Sequence, residues 1–474
     1  MATLAAPQPS STGATLRQRT VQAKSTIHNA EDASAESSSD ESTGDGMATF
    51  TPPSFTVKDL LGAIPKHCFE RSALRSFSYL ICDFMMLAVI VYAATFIDPN
   101  FNFKNGALLN GYAGSIARVV SWALYAFAAG SVGTGVWVIA HECGHQAFST
   151  SKTLNNAVGW VCHSALLVPY HSWRISHARH HAATGSMERD EVFVPKTRSQ
   201  VGIPPAHVQQ QQAAAAAHKQ GESTFEAIDE ILEDAPFWNL FWVTMQQLLG
   251  WPMYLIRNAS GQKYGRWTNH FDPKSPIFDK RHFWQIIASD IGILSTMAAL
   301  ATWSHYRGFG EVVRYYLIPY FVVNHHLVLI TFLQHTDPNL AHYREKEWTF
   351  PRGALCTIDR NLGGAIGAFV LHGICETHVS HHVCSRIPHY NAWEATEALK
   401  SVLGEHYMKS DDNMYYSLVN NYKECKFVED EGQVLFYRNK LGKSVRKVVY
   451  DEDSGVDVNG SASAVASGSE EEEY

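Results

Sequence analysis

The chain has 474 residues, with 38 Lys and Arg against 46 Asp and Glu, giving a net charge of −8. This argues against a nucleic-acid binder held by phosphate contacts. Charged residues are 18% of the chain and histidines number 24, whereas soluble domains carry roughly 25% charge. The eight cysteines form no C-x-x-C pair, which sets aside a cysteine zinc site and, at this length, a disulfide scaffold.

Residues 1–48 are rich in Ser, Thr, Ala, Asp and Glu, cannot bury a core and read as a disordered tail. They lack the apolar run of a secretory signal and are too acidic for a transit peptide. Residues 49–75 read as a cytosolic juxtamembrane segment, 76–412 as a membrane domain, 413–450 as a cytosolic C-terminal segment and 451–474 as a second, acidic disordered tail. Within the membrane domain, four apolar stretches at 76–97, 118–140, 284–303 and 315–335 reach the roughly 20 residues that cross a bilayer. Four buried helices of a large soluble protein are the other reading. Near absence of charge and hydrophobicity on all faces favour the membrane. Asp83 and Asp290 interrupt the pattern and must face the protein interior.

The spacing gives two hairpins separated by a long segment, 141–283. Lys66, Arg71 and Arg75 before the first span, with the Lys and Arg residues of the long segment, put both termini and that segment in the cytosol by the positive-inside rule. Residues 207–222 are low-complexity. Residues 236–258 are apolar and Trp-rich, with Pro252 inside. They read as helices lying at the interface, because a fifth span would put the histidine clusters on opposite sides of the membrane. The predicted fold is an all-α integral membrane protein with four transmembrane helices in two hairpins, interfacial helices and a histidine-rich cytosolic cap.

Three histidine clusters follow this topology: His141-Glu-Cys-Gly-His145, His177-Ala-Arg-His180-His181 and His378-Val-Ser-His381-His382. Positions i, i+3 and i+4 share a helix face, so each cluster aims its imidazoles at one point. An H-x-x-H-H string arises by chance about 0.06 times in a chain of this histidine content, and this chain has two. Eight imidazoles suit first-row transition metals and exceed what one ion uses. Zinc prefers about four ligands and has no redox chemistry, so a dinuclear iron centre that activates O₂ is the sharper reading. Glu142, Glu188, Asp190, Glu191, Asp337 and Glu376 flank the clusters. They could accept the second N–H of a metal-bound histidine, or be solvated surface charges. His141 to His145 is also an H-E-x-x-H string, with Glu142 in the place of a zinc protease's general base. That reading leaves both H-x-x-H-H clusters unexplained.

The strings HECGHQAFS (141–149), HSWRISHARHH (171–181), GSMERDEVFVP (185–195), LITFLQHTDP (329–338) and ETHVSHHVCSRIPHYNAWEAT (376–396) resemble the membrane-bound fatty acid desaturases, specifically the oleate Δ12 desaturases of fungi and plants, over roughly residues 50–440. The resemblance implies a di-iron cap at the cytosolic membrane surface, with His141, His145, His177, His180, His181, His378, His381 and His382 as ligands. It adds His335 as a ninth; the alternative for His335 is a histidine complementing a helix dipole. Glu142, Asp190, Glu376, His171 and His372 are expected to support the ligands or the substrate path. Gln146 stands where many plant members have histidine, and His325 and His326 receive no role. The implied reaction uses O₂ to place a Δ12 double bond in an oleoyl chain carried on phospholipid or CoA, in the endoplasmic reticulum membrane. Electrons would come from a separate cytochrome b5 and its NADH-dependent reductase, since no His-Pro-Gly-Gly haem motif is present. A 12-hydroxylase or a bifunctional Δ12/ω3 desaturase would use the same histidines. Register must come from a narrow apolar tunnel.

Overall fold

The structure, a computed structural model, describes residues 47–104, 106–205, 208 and 236–449. The tails expected at 1–48 and 451–474, Met47 and Ala48 apart, and the low-complexity stretch at 207–222, Val208 apart, lie outside the described residues. Among the described residues, four helical segments are long and apolar enough to cross a membrane: Ala73–Asn100, Gly111–Gly144, Lys280–Arg307 and Phe309–His335. Each contains one of the four predicted stretches.

The first helix, α1 (Ala73–Ala94), starts where Ser72 Oγ accepts the Arg75 N–H at 3.3 Å, as an N-cap does. The second, α2 (Gly111–Gly144), has 34 residues. At 1.5 Å per residue it is about 50 Å long, well beyond the roughly 30 Å of bilayer hydrocarbon. Then come α3 (Lys152–Ala165), α4 (Tyr170–Ala183), α5 (Pro236–Arg257, with Pro252 inside), α6 (Phe283–Arg307) and α7 (Ile318–His335). Three shorter helices complete the helical set used below: α8 (His378–Val383), α9 (His389–Leu403) and α10 (Met414–Glu424).

The outward faces of α1 and α6 leave Met85, Val89, Ile291 and Leu294 exposed. An apolar surface of that extent marks contact with lipid rather than water. Helix α2 is the central element and packs against α1, α3 and α7. Its glycines allow the approach: a Cβ at Gly130 would lie 2.4 Å from Val322 Cβ. Gly130→Val is therefore expected to cost about 1–3 kcal/mol of stability by overpacking. Thermal unfolding of the detergent-solubilised protein measures this, and an unchanged Tm would contradict the packing described.

Asp83 in α1 is fully buried and pairs with His372 Nε2 at 2.9 Å, which resolves a carboxylate otherwise costly in lipid. Asp290 in α6 is half-buried.

Among the described residues, three two-stranded sheets pair segments distant in the chain. β1 (Ala48–Phe50) runs parallel to β6 (Arg446–Val448), and β2 (Ala341–Tyr343) antiparallel to β5 (Val434–Phe436). β3 (Asp359–Arg360) is parallel to β4 (Lys409–Ser410). Met414 and Leu418 of α10 join the core of Trp137, Trp173 and Leu333, so residues 413–449 pack into the same body as the spans. All eight cysteines are free thiols.

Candidate metal centre

The histidines converge because the helices end where they do. His141 lies in the last turn of α2 and His145 caps it. His335 is the last residue of α7. Helix α4 carries His177, His180 and His181, and the short α8 carries His378, His381 and His382. The second and fourth spans thus end at the same place.

Two groups result. In the first, one ring nitrogen from each of His141, His145, His177, His181 and His381 lies within 4.8 Å of every other. In the second, His180, His335 and His382 meet the same condition, and His378 joins through an Nε2–Nε2 separation of 3.0 Å from His335. The groups adjoin, since the His181 and His382 rings stack at 4.0 Å. Nε2–Nε2 separations are 3.0 Å for His141–His177, 3.2 Å for His141–His145 and 3.4 Å for His180–His335. Two nitrogens held about 2.1 Å from one ion at angles of about 90–110° lie roughly 3.0–3.4 Å apart. The Nε2 atoms of His181, His381 and His382 are buried and have no hydrogen-bond partner among the described residues, although buried polar atoms ordinarily find one. An ion in each group would satisfy them, so the donor set fits two metal ions.

Protonation agrees with this. Burial first, and neighbouring imidazoles second, push His177, His181, His378 and His382 well below the ordinary histidine value. Burial takes His381 down to about 3. The neutral imidazole is the form that binds metal.

Support for the rings is specific. The buried Asp190 accepts from His180 Nδ1 at 2.7 Å, and its own carboxylate is held by the Gly185 and Val192 N–H groups at 3.1 and 3.0 Å. This turns His180 Nε2 toward its group. Thr184, which no sequence pattern marked, donates its hydroxyl to the His180 carbonyl at 2.7 Å and accepts from His382 Nδ1 at 3.1 Å. Trp173 stacks on His177 at 4.6 Å and Trp137 on His141 at 5.5 Å. Asp190→Ala is expected to cost tenfold to a hundredfold in metal affinity or turnover, the usual penalty for losing such a partner. Wild-type affinity in a metal titration of this variant would contradict that role.

The other four supporting residues expected from the sequence are directed elsewhere. Glu142 accepts the His389 backbone N–H at 2.9 Å, and its nearest approach to a ligand-group ring is 3.9 Å to His141 Nδ1, beyond hydrogen-bond reach. Successive helical residues differ by about 100°, which turns this carboxylate from the face that His141 and His145 share; it is not placed as a general base. His372 bonds Asp83. His171 meets Ser289 through its backbone N–H at 2.9 Å, and Glu376 bonds none of the nine rings. Of the remaining carboxylates, Asp337 pairs with Arg360, Glu188 with Arg344 and Glu191 with Tyr264. Gln146 bonds Cys143 and Asn155. His325 meets Tyr415 at 3.2 Å and His326 meets Thr134 at 3.4 Å, both away from the centre.

A cavity of about 470 Å³ opens beside the two groups, within the usual range for small-ligand sites. His141 and His177 of the first group and His180, His335 and His378 of the second line it. The rest of its wall is largely apolar and includes Trp137, Val138, Trp251, Leu327 and Ile330.

The chain matches the fatty acid desaturase family over residues 120–412 and a domain of unknown function, DUF3474, over residues 13–94. It is 51% identical over 386 residues to a Delta(12) fatty acid desaturase of Mortierella isabellina, covering 81% of this chain and 91% of the relative. Identity to the Delta(12) fatty acid desaturase of Mortierella alpina is 50% over the same shares. An oleate hydroxylase of Claviceps purpurea is 42% identical over 424 residues, 83% of each chain. The family match takes in the first two histidine clusters, His335 and the third cluster alike, and with four membrane-crossing helices and two convergent histidine groups in place, the chain belongs to the fatty acid desaturase family of multi-pass membrane oxidoreductases.

Proposed function

We propose that the protein is a Δ12 desaturase that converts an oleoyl lipid to a linoleoyl lipid at two iron ions, with O₂ as co-substrate. The observation that carries the reading is that both histidine groups open onto one apolar cavity. Removing hydrogen from an unactivated acyl methylene needs a redox-active ion, which zinc is not. Regiochemistry rests on the Mortierella relatives and their names.

His141, His145, His177, His181 and His381 would hold one iron, and His180, His335, His378 and His382 the other. When bound, the irons supply the oxidising power that an unactivated methylene requires. Asp190 and Thr184 keep His180 and His382 in the tautomers that present Nε2. Trp137, Trp173 and Trp251 exclude water from the wall. Adjacent methylenes are chemically alike, so the cavity selects one pair by holding the chain in one register. The balance is two hydrogens from the chain, two electrons and two protons against O₂, giving one cis double bond and two waters.

The two hairpins are α1 with α2 and α6 with α7, and α5 lies along the interface with Phe237, Trp238 and Phe241 outward. Lys66 and Arg71 precede the first span and Arg75 stands in its first turn, which supports a cytosolic cap and cytosolic termini; residence in the endoplasmic reticulum membrane rests on the family reading. Electrons come from cytochrome b5 and its NADH-dependent reductase. The acyl chain arrives on phospholipid or CoA. Reconstitution of the purified protein with both donors is expected to consume one NADH and one O₂ per double bond. Undiminished turnover without cytochrome b5 would remove it from the scheme. The Claviceps relative favours a second reading, oleate 12-hydroxylation at the same centre.

A further inference from the structure

We propose that Asp359 and Arg360, the adjacent residues of β3, are positioning residues that set the second histidine group, a role that rests on the two-ion reading above. The strand runs between the end of α7 and the approach to α8. Its backbone bonds both sides: the Ile358 N–H donates to the Gln334 carbonyl at 3.2 Å and the Arg360 N–H to the Cys375 carbonyl at 2.9 Å. Successive strand residues point to opposite faces, and here each face meets a different ligand-bearing helix.

Asp359 Oδ1 accepts the Val379 N–H at 2.8 Å. That amide lies in the first turn of α8, directly after His378, where a helix has no internal acceptor for it. The other Asp359 oxygen accepts from the Tyr407 hydroxyl at 2.5 Å. On the opposite face, Arg360 Nε donates to the Leu333 carbonyl at 3.0 Å, in the last turn of α7 two residues before His335. Its Nη2 reaches Asp337 Oδ2 at 2.5 Å and its Nη1 reaches Ser417 Oγ at 3.0 Å. One dipeptide thus fixes the helix ends that carry His378 and His335, whose Nε2 atoms stand 3.0 Å apart.

Both side chains are buried, with 1% and 2% of their surface exposed. Burying two neighbouring charges is costly unless every contact is made, and one contact of each, Asp359 to the Val379 N–H and Arg360 to the Leu333 carbonyl, is made in a ligand-bearing helix. The effect is selective by construction. Three of the four members of the second group, His335, His378 and His382, come from α7 and α8, whereas four of the five in the first, His141, His145, His177 and His181, come from α2 and α4.

The test is iron content per chain, measured by mass spectrometry of metals on monodisperse full-length protein, with wild type in parallel. Asp359→Ala and Arg360→Gln are expected to hold about one iron where wild type holds two. In the oxidised variants an isolated high-spin ferric EPR signal is expected, where a coupled diferric pair gives none. Arg360→Lys is expected not to restore the second iron, since one ammonium cannot reproduce a planar three-contact fork. Asp359→Asn, which keeps an acceptor for the Val379 N–H, is expected to restore it in part. Two irons in both deficient variants, or equal loss of both irons, would overturn the proposal. If neither variant is recovered folded, Tyr407→Phe carries the test: it removes one of the two bonds to Asp359, and a count between one and two supports the role while an unchanged two overturns it. Wild type holding fewer than two irons would instead contradict the two-ion reading itself.

Discussion

His180→Ala and His381→Ala, one from each histidine group, are expected to abolish desaturation, lowering turnover by at least about a hundredfold. The bound for comparison is the loss of a partner one bond further out, which typically costs tenfold to a hundredfold; removing the ring itself exceeds it. In each group the lost ring leaves a vacancy that no neighbour fills. His180 is buried, and its Nε2 stands 3.4 Å from His335 Nε2. His381 contributes a buried Nε2 that no atom of the described residues satisfies. Iron per chain is expected to fall in both variants, and wild-type protein is expected to contain iron rather than zinc. Full activity in either variant would refute the assignment of that group. One zinc and no iron in wild type would return the H-E-x-x-H reading of His141 and His145.

A second large effect is expected from a change that leaves every histidine in place. Gly250 of α5 and Val328 of α7 face each other across the cavity wall, and a Cβ at Gly250 would meet the Val328 methyls at 3.3 and 3.4 Å. Gly250→Leu adds a branched side chain at that contact, where both residues line the cavity. A mismatch of about one methylene in an apolar pocket is worth about 1–3 kcal/mol, roughly 10–200-fold, so substrate binding is expected to weaken about tenfold to a hundredfold. Replacing a helical glycine regains up to about 1 kcal/mol of helix propensity, so the fold is expected to persist. Iron content is expected to stay at the wild-type value. The pair of results separates the roles of the two surfaces: loss of iron in Gly250→Leu, or full turnover with oleoyl substrate, would place the acyl chain elsewhere.

What could be read from the sequence follows from how each feature is encoded. The four spans are continuous and apolar on all faces, so composition alone finds them, and the observed segments differ from the predicted ones only at their ends. The histidine clusters are local repeats at helical spacing, and each H-x-x-H-H string does lie on one short helix. His335 has no such pattern. It stands alone at the end of an apolar helix, and only the resemblance marked it. Support of the rings is different in kind, because it is made across the chain. Asp190 lies ten residues from His180, but Thr184 is 198 residues from His382, and Asp359 is 20 from the Val379 amide that it accepts. Proximity in sequence misdirected the assignment of Glu142 and Glu376, which adjoin the clusters in the chain while their carboxylates meet none of the cluster rings within hydrogen-bond reach. The buried Asp83–His372 pair was half visible, as a carboxylate that had to face inward, without its partner.

The measurement that bears most directly on the account is the fatty-acid profile of a eukaryotic host that makes oleate but no linoleate, expressing this chain, with double-bond positions fixed by derivatisation and gas chromatography–mass spectrometry. The account predicts a 9,12-diene that disappears with His180→Ala and His381→Ala. A 12-hydroxy acid in place of the diene would contradict desaturation while keeping the metal centre. No new product from protein that carries two irons and receives electrons would contradict both.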